Sequence, residues 1–243
     1  MRDSLLKAAR ADERISGAAL TGSAASGNED RWSDIDLFFG VAEGVSLPEV
    51  LADWSDRMYR DHGALHHLDV IAGPATYRVF LLASTLQVDL AFTPASDFGA
   101  SASTFKLVFG TAVERTPTQP PSPASLVGLG WLYALHARSC IQRGKLWQAE
   151  YMVSGVRDHA LSLACLRHQL PAVQGRGLDR LPAEIRSAAG PALVRSPDEA
   201  ELRRAFRAAV DLLLGEIGKV DRGLAGRLER PLLELAYQHY ADH

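Results

Sequence analysis

Three aspartates and one glycine-serine pair stand out for what their spacing can do. Asp34 and Asp36 lie in the run Ser33-Asp34-Ile35-Asp36-Leu37-Phe38-Phe39, and Asp89 lies in Leu86-Gln87-Val88-Asp89-Leu90-Ala91-Phe92. Side chains alternate between faces in extended backbone. Asp34 and Asp36 therefore share one face, with Ile35, Leu37 and Phe39 on the other. In the second run Leu86, Val88, Leu90 and Phe92 form the apolar set and put Asp89 opposite them. Acids facing one another on neighbouring strands destabilise a sheet unless a cation neutralises them. Mg²⁺ takes carboxylate oxygens together with substrate phosphates. Three such acids suit two ions about 3.5 to 4 Å apart, which stabilise the entering and leaving oxygens of a phosphoryl displacement. Gly22-Ser23 adds a second half to that chemistry, because backbone without a side chain, next to a hydroxyl, can approach a triphosphate closely. A lone Asp-X-Asp is ordinarily solvated surface; the conjunction of all three features points to a site.

The elements that must position these residues can be read from periodicity. Residues 3–14 read as a short polar helix, and Ile15 to Thr21 as an apolar strand that delivers a glycine-rich turn through Gly27. The segment 33–39 is a strand by alternation and aromatic content. A helix follows Pro48, with Val50, Leu51, Trp54, Met58 and Tyr59 at helical spacing, and ends near Gly63. Strands are expected at 66–71, 77–82 and 86–92. On the first of these, His66 and His67 must face opposite sides. Arg31 and Trp32, just before the acidic motif, can contact phosphate and base, or serve as loop charge and packing.

Four prolines in TPTQPPSP, residues 116–123, favour an extended connector. Beyond it the pattern is helical. Ala149, Met152, Val153, Val156, Ala160, Leu163 and Ala164 form one apolar stripe, and Leu202, Phe206, Ala209, Val210, Leu213, Ile217 and Val220 another. Between the stripes, LPAVQGRGLDRLPAEI reads as a loop or broken helical connector. Arg203, Arg204 and Arg207 read as a solvated basic face. The expected architecture is an α+β N-terminal domain over 1–115, with a mixed sheet and flanking helices, a proline-rich linker over 116–124, and an all-α bundle over 125–243.

Composition narrows the classes. With 243 residues, 47% of them hydrophobic, 23% charged and a net charge of -3, the chain can bury an ample core. It lacks the broad positive field that non-specific nucleic-acid binding uses, so a polynucleotide substrate is disfavoured. No apolar run approaches the roughly 20 residues of a membrane span, and the first residues lack an apolar signal core, so a cytoplasmic location without membrane contact is expected. Cys140 and Cys165 are too few and too far apart for a zinc site and read as reduced core thiols.

Gly22-Ser23, then Ser33-Asp34-Ile35-Asp36-Leu37, then an isolated strand aspartate, Asp89, resemble the signature of the polymerase-beta-like nucleotidyltransferase superfamily. Within it, an α/β domain followed by a helical bundle resembles the antibiotic adenylyltransferases, those of aminoglycosides and lincosamides. The motif resemblance covers roughly residues 15–92. It implies that Asp34 and Asp36 bind two Mg²⁺ ions, that Asp89 completes one metal site, and that Gly22 and Ser23 hold the phosphates of ATP or another nucleoside triphosphate. It further implies transfer of a nucleoside monophosphate, AMP from ATP, to a hydroxyl of a small molecule, most simply an antibiotic, with release of pyrophosphate. The general base of that family is often a Glu. None lies near Asp89; Glu150 in the helical half is the candidate for that role, and a solvated face shared with Ser154 and Arg157 is the alternative reading of the same residue. Two rivals remain open: a protein-adenylylating, antitoxin-type enzyme, and a nucleotide-binding regulator with idle chemistry.

Overall fold

Ser46-Leu47-Pro48-Glu49 is a helix-start sequence, and the Ser46 hydroxyl accepts a hydrogen bond from the Glu49 N–H at 3.4 Å. The helix it opens fixes the sheet that carries the acids. The structure, a computed structural model, describes residues 1–100, 104–117 and 119–237. The chain divides into two compact units, Met1–Thr118 and Gln119–His243.

The first unit contains α1 (Arg2–Ala11), β1 (Ile15–Thr21), α2 (Gly22–Ser26), β2 (Ile35–Val41), α3 (Leu47–Asp61), β3 (Ala64–Ala72), β4 (Ala75–Leu82), β5 (Gln87–Pro94) and β6 (Phe105–Phe109). The six strands form one mixed sheet in the order β3-β4-β5-β2-β1-β6, with β2 and β5 parallel and the other neighbours antiparallel. One face of the sheet is covered by α1 and α3. Val50, Leu51, Trp54 and Met58 of α3 are buried with Leu37, Phe39, Val88, Leu90 and Phe92. The Trp54 ring lies 5.0 Å from Phe39 and 5.8 Å from Phe92, centroid to centroid, and its Nε1–H donates to Asp12 at 3.1 Å. One tryptophan thus clamps β2 to β5, the two strands nearest the chemistry. Among the described residues, the opposite face is covered at one end, by a small aromatic cluster of Phe38 and Phe98 packed with Tyr77 and Phe105.

The helix read over 3–14 ends at Ala11, where Asp12 turns extended, and further differences concern α2 and β6. The glycine-rich turn after Thr21 is wound into a five-residue helix, α2, too short for any periodicity to announce. Strand β6 was not expected; it pairs with β1, about 90 residues earlier, and only that long-range ladder defines it.

The second unit is helical: α4 (Pro123–Gln142), α5 (Leu146–Arg167), α6 (Ala183–Ala189), α7 (Glu199–Val220) and α8 (Arg222–Tyr237). The two expected stripes are its core. Ala149, Val153, Val156, Ala160 and Leu163 of α5 meet Leu202, Phe206, Ala209, Val210, Leu213 and Ile217 of α7, with Ala134 and Ala137 of α4. Val220, assigned to the second stripe, is instead exposed, because α7 ends there and Asp221 is extended. The connector 170–185 contains a single 3₁₀ turn, Leu178–Arg180, and the start of α6. Cys140 and Cys165 are both buried and free. Arg203 and Arg204 pair with Glu199 and Glu201 along α7, and Arg204 also donates to the Leu193 carbonyl. Among the described residues, no helix is long and apolar enough to cross a membrane.

Candidate functional site

Strand register brings the acids together. The parallel pairing of β2 and β5 sets Asp36 directly beside Asp89, and in a parallel pair such neighbours project to the same face. Asp34 is the residue just before β2, which starts at Ile35, two residues later than the expected start at Ser33. Each of Asp34, Asp36 and Asp89 can present a carboxylate oxygen within 4.8 Å of the others. All three side chains are half-buried, at the open end of the face that Phe38 and Phe98 cover further along. The side chain of Gln87 bridges the group, its Nε2 donating to Asp89 at 3.0 and 3.2 Å and to Asp34 at 3.5 Å.

Gly22 closes the other side. Its φ is +58°, and a Cβ placed there would lie 1.9 Å from Oδ2 of Asp36. The backbone conformation favours glycine, and an added Cβ would displace the Asp36 carboxylate. The Asp36 carboxylate therefore rests against the bare backbone of the turn that follows β1. Ser23 comes next, and its Oγ is buried with no hydrogen-bond partner among the described residues. A buried hydroxyl left without a partner is uncommon and calls for a ligand or another compensating group.

Asp30 organises the loop leading into Asp34. It accepts hydrogen bonds from the Trp32 N–H at 2.9 Å and from the Ser33 hydroxyl at 3.2 Å. Trp32 stands out from this turn with 79% of its surface exposed, and the Arg31 guanidinium lies 4.4 Å over its ring. On β3, His67 turns toward α3 and meets Tyr59 at 2.7 Å, while its neighbour His66 takes the face of the acids. Glu150 belongs to the second unit, in the second turn of α5, where it accepts a hydrogen bond from Ser154 at 2.8 Å.

The electrostatics of the acidic group are unfavourable without a counter-charge. Burial pushes the Asp89 carboxyl above its ordinary value of 3.8, the Gln87 hydrogen bond pulls it partly back, and the charge of Asp34 pushes it up again. The folded protein thus keeps a proton that the unfolded chain has released, and the contribution of this group to stability falls as pH rises from 3.8 through the raised pKa. In metal-free buffer Asp89→Asn should accordingly raise the melting temperature more at about pH 7 than at about pH 4.5. Thermal denaturation of both proteins at the two pH values checks this; an equal gain at both would mean that the Asp89 charge is not penalised. Hard oxygen donors this close, one of them biased toward its neutral form, are the chemistry of a divalent-cation site.

No protein-family model matches the chain, and no curated protein sequence is similar to it. Among solved structures, it is similar to an aminoglycoside 6-adenyltransferase from Bacillus subtilis, with a TM-score of 0.41, 12% identity and 98% of each chain covered. It is also similar to the polymerase core of TRAMP, an RNA surveillance complex, with a TM-score of 0.27, 13% identity, and 91% of this chain and 76% of that one covered.

Proposed function

We propose that this protein transfers a nucleoside monophosphate from a nucleoside triphosphate to a hydroxyl of a small molecule and releases pyrophosphate. The observation that carries this reading is the meeting of Asp34, Asp36 and Asp89 with the Gly22-Ser23 turn at one end of the sheet face. The three carboxylates would hold two Mg²⁺ ions, which when bound offset the charge of the triphosphate and of the entering and leaving oxygens. The Gly22-Ser23 turn would offer its backbone N–H groups to the phosphates, and the Ser23 hydroxyl, without a partner among the described residues, would donate to a phosphate oxygen. Trp32, exposed beside the site, offers its ring to the base. The acceptor oxygen bonds to the α-phosphorus, the bond from that phosphorus to the bridging oxygen breaks, and its electron pair leaves with pyrophosphate. The hydroxyl proton passes to a carboxylate. Such a transfer depends on positioning and charge neutralisation more than on covalent catalysis. AMP from ATP as the transferred group, an antibiotic as the acceptor and action in the cytoplasm extend the reading by the motif resemblance given above.

Glu150 is the proposed base. A positioned base contributes about 10² to 10⁴-fold, so Glu150→Gln should lower turnover by that factor and leave Mg-nucleotide affinity unchanged. Turnover within about threefold of wild type would remove Glu150 from the mechanism. The experiment for the whole reading incubates the protein with Mg²⁺, ATP, GTP or CTP and panels of aminoglycosides and lincosamides, followed by mass spectrometry. A drug heavier by one nucleotide supports the proposal. Label on a protein supports the protein-modifying rival, and nucleotide binding without transfer to anything supports the idle regulator.

A further inference from the structure

The hairpin β3-β4 extends the face of the acids sideways and leaves it open. Three rows of residues cross the sheet on this face. Leu68 lies opposite Val79, Val79 opposite Asp89, and Asp89 beside Asp36. On one side of that row run His66, Leu81 and Gln87, and on the other Val70, Tyr77, Ala91 and Phe38. Leu68 is 62% exposed, Leu81 51% and Val70 47%, although paired strands hold all three in place. Scattered exposed apolar residues need no explanation, but a contiguous apolar patch commonly marks a binding surface. Apart from the imidazole of His66, the hairpin places no acidic or basic side chain on this face: Asp69 and Arg78 pair at 2.6 Å on the opposite face, where Arg78 also donates to Ser55 of α3.

Strand order assigns the occupant. The Gly22-Ser23 turn follows β1, on one side of the acids, whereas β4 and β3 lie on the other. Attacking and leaving oxygens stand roughly in line in phosphoryl-type transfer. With the phosphates on the β1 side, the acceptor approaches over β4 and β3. Neighbouring strands are about 4.8 Å apart, so a molecule resting on Val79 and Leu68 has its hydroxyl within about 5 to 10 Å of Asp89.

Resting on the function proposed above, we infer that this hairpin face is the acceptor platform, and that the acceptor is an uncharged or weakly charged amphipathic molecule with an apolar face next to its reactive hydroxyl. A polycation finds no partner on the hairpin. The test uses phenyl β-D-glucopyranoside and the polycation kanamycin as probes, added to isotope-labelled full-length protein with Mg-ATP, while methyl and amide resonances are followed. The glucoside should shift the methyls of Leu68, Val79 and Leu81. Leu68→Ser and Leu81→Ser, both at exposed positions where folding is little affected, should each weaken its binding by about tenfold, the scale of one aliphatic contact. Mg-ATP shifts at the amides of Gly22 and Ser23 report separately on the nucleotide site; their absence would count against the proposed function whatever the glucoside does. Kanamycin shifting those methyls more strongly than the glucoside, or no response of the methyls to the glucoside, would overturn the inference. So would methyl shifts that follow protein concentration alongside a doubled mass, because the face would then be a contact between two copies.

Discussion

Replacing Asp36 by alanine is expected to lower nucleotidyl transfer by at least about 10³-fold while the protein still folds. Asp36 lies next to Asp89 in the register and against the backbone of Gly22. It lies against the turn proposed to hold the phosphates. A single donor aimed at developing charge is typically worth about 10² to 10³-fold, and loss of a shared metal ligand removes more than one such interaction. Stability should respond differently. The three carboxylates repel one another in the absence of a cation, so removal of one charge offsets the loss of its local contacts, and the variant should melt within a few degrees of wild type. A ligand that binds only the folded state stabilises it by mass action; millimolar Mg²⁺ with ATP should therefore raise the melting temperature of wild type and leave that of Asp36→Ala unchanged. Asp36→Asn, which keeps the shape and one oxygen, separates the charge from the volume and should be nearly as inactive. Pyrophosphate release within tenfold of wild type in either variant would remove the acidic group from the chemistry.

The faces of the acids were legible because period-two alternation is a local property: Ile35, Leu37 and Phe39 on one side oblige Asp34 and Asp36 to the other. Strand order was not. Nothing in LQVDLAF says that its strand lies parallel to β2, nor that Asp89 falls beside Asp36 rather than two residues away. That register is fixed by burial of Phe39 and Phe92 around Trp54, and by the length of α3 and the hairpin between them. Strand β6 was hidden for a related reason. FKLVF is five residues at an edge, and only its pairing with β1 makes it a strand. The bundle was easier to read, since α5 and α7 each bury a stripe with helical spacing over many turns. The apolar row of the hairpin could not be distinguished from core by sequence. Leu68, Val70 and Leu81 have the spacing of buried strand residues, and they are exposed because no element among the described residues covers their side.

Gly22→Ala is expected to cost nearly as much activity as loss of Asp36 itself, through a single methyl group. The added Cβ would fall 1.9 Å from Oδ2 and 2.8 Å from Cγ of Asp36, so one of the two must move. The Asp36 side chain turns about two bonds, whereas Gly22 is held between the end of β1 and the first turn of α2; the carboxylate yields first. It leaves the group it shares with Asp34 and Asp89, and divalent-cation affinity goes with it. A second effect accompanies the first, because a φ of +58° strains any residue with a Cβ by about 1 to 2 kcal/mol. Gly27 separates the two. It has a φ of +72° at the far end of the same short helix, and nothing lies within 4 Å of the Cβ it would gain. Gly27→Ala therefore carries the backbone strain without the collision. Both variants should melt several degrees below wild type, and Gly27→Ala should keep turnover within a few-fold. Gly22→Ala alone should lose about 10³-fold in turnover, together with the rise in melting temperature that Mg-ATP gives wild type. Equal losses in the two variants would mean that the turn acts through its backbone alone. Full activity in Gly22→Ala would mean that Asp36 does its work from a position other than the one it holds against this glycine.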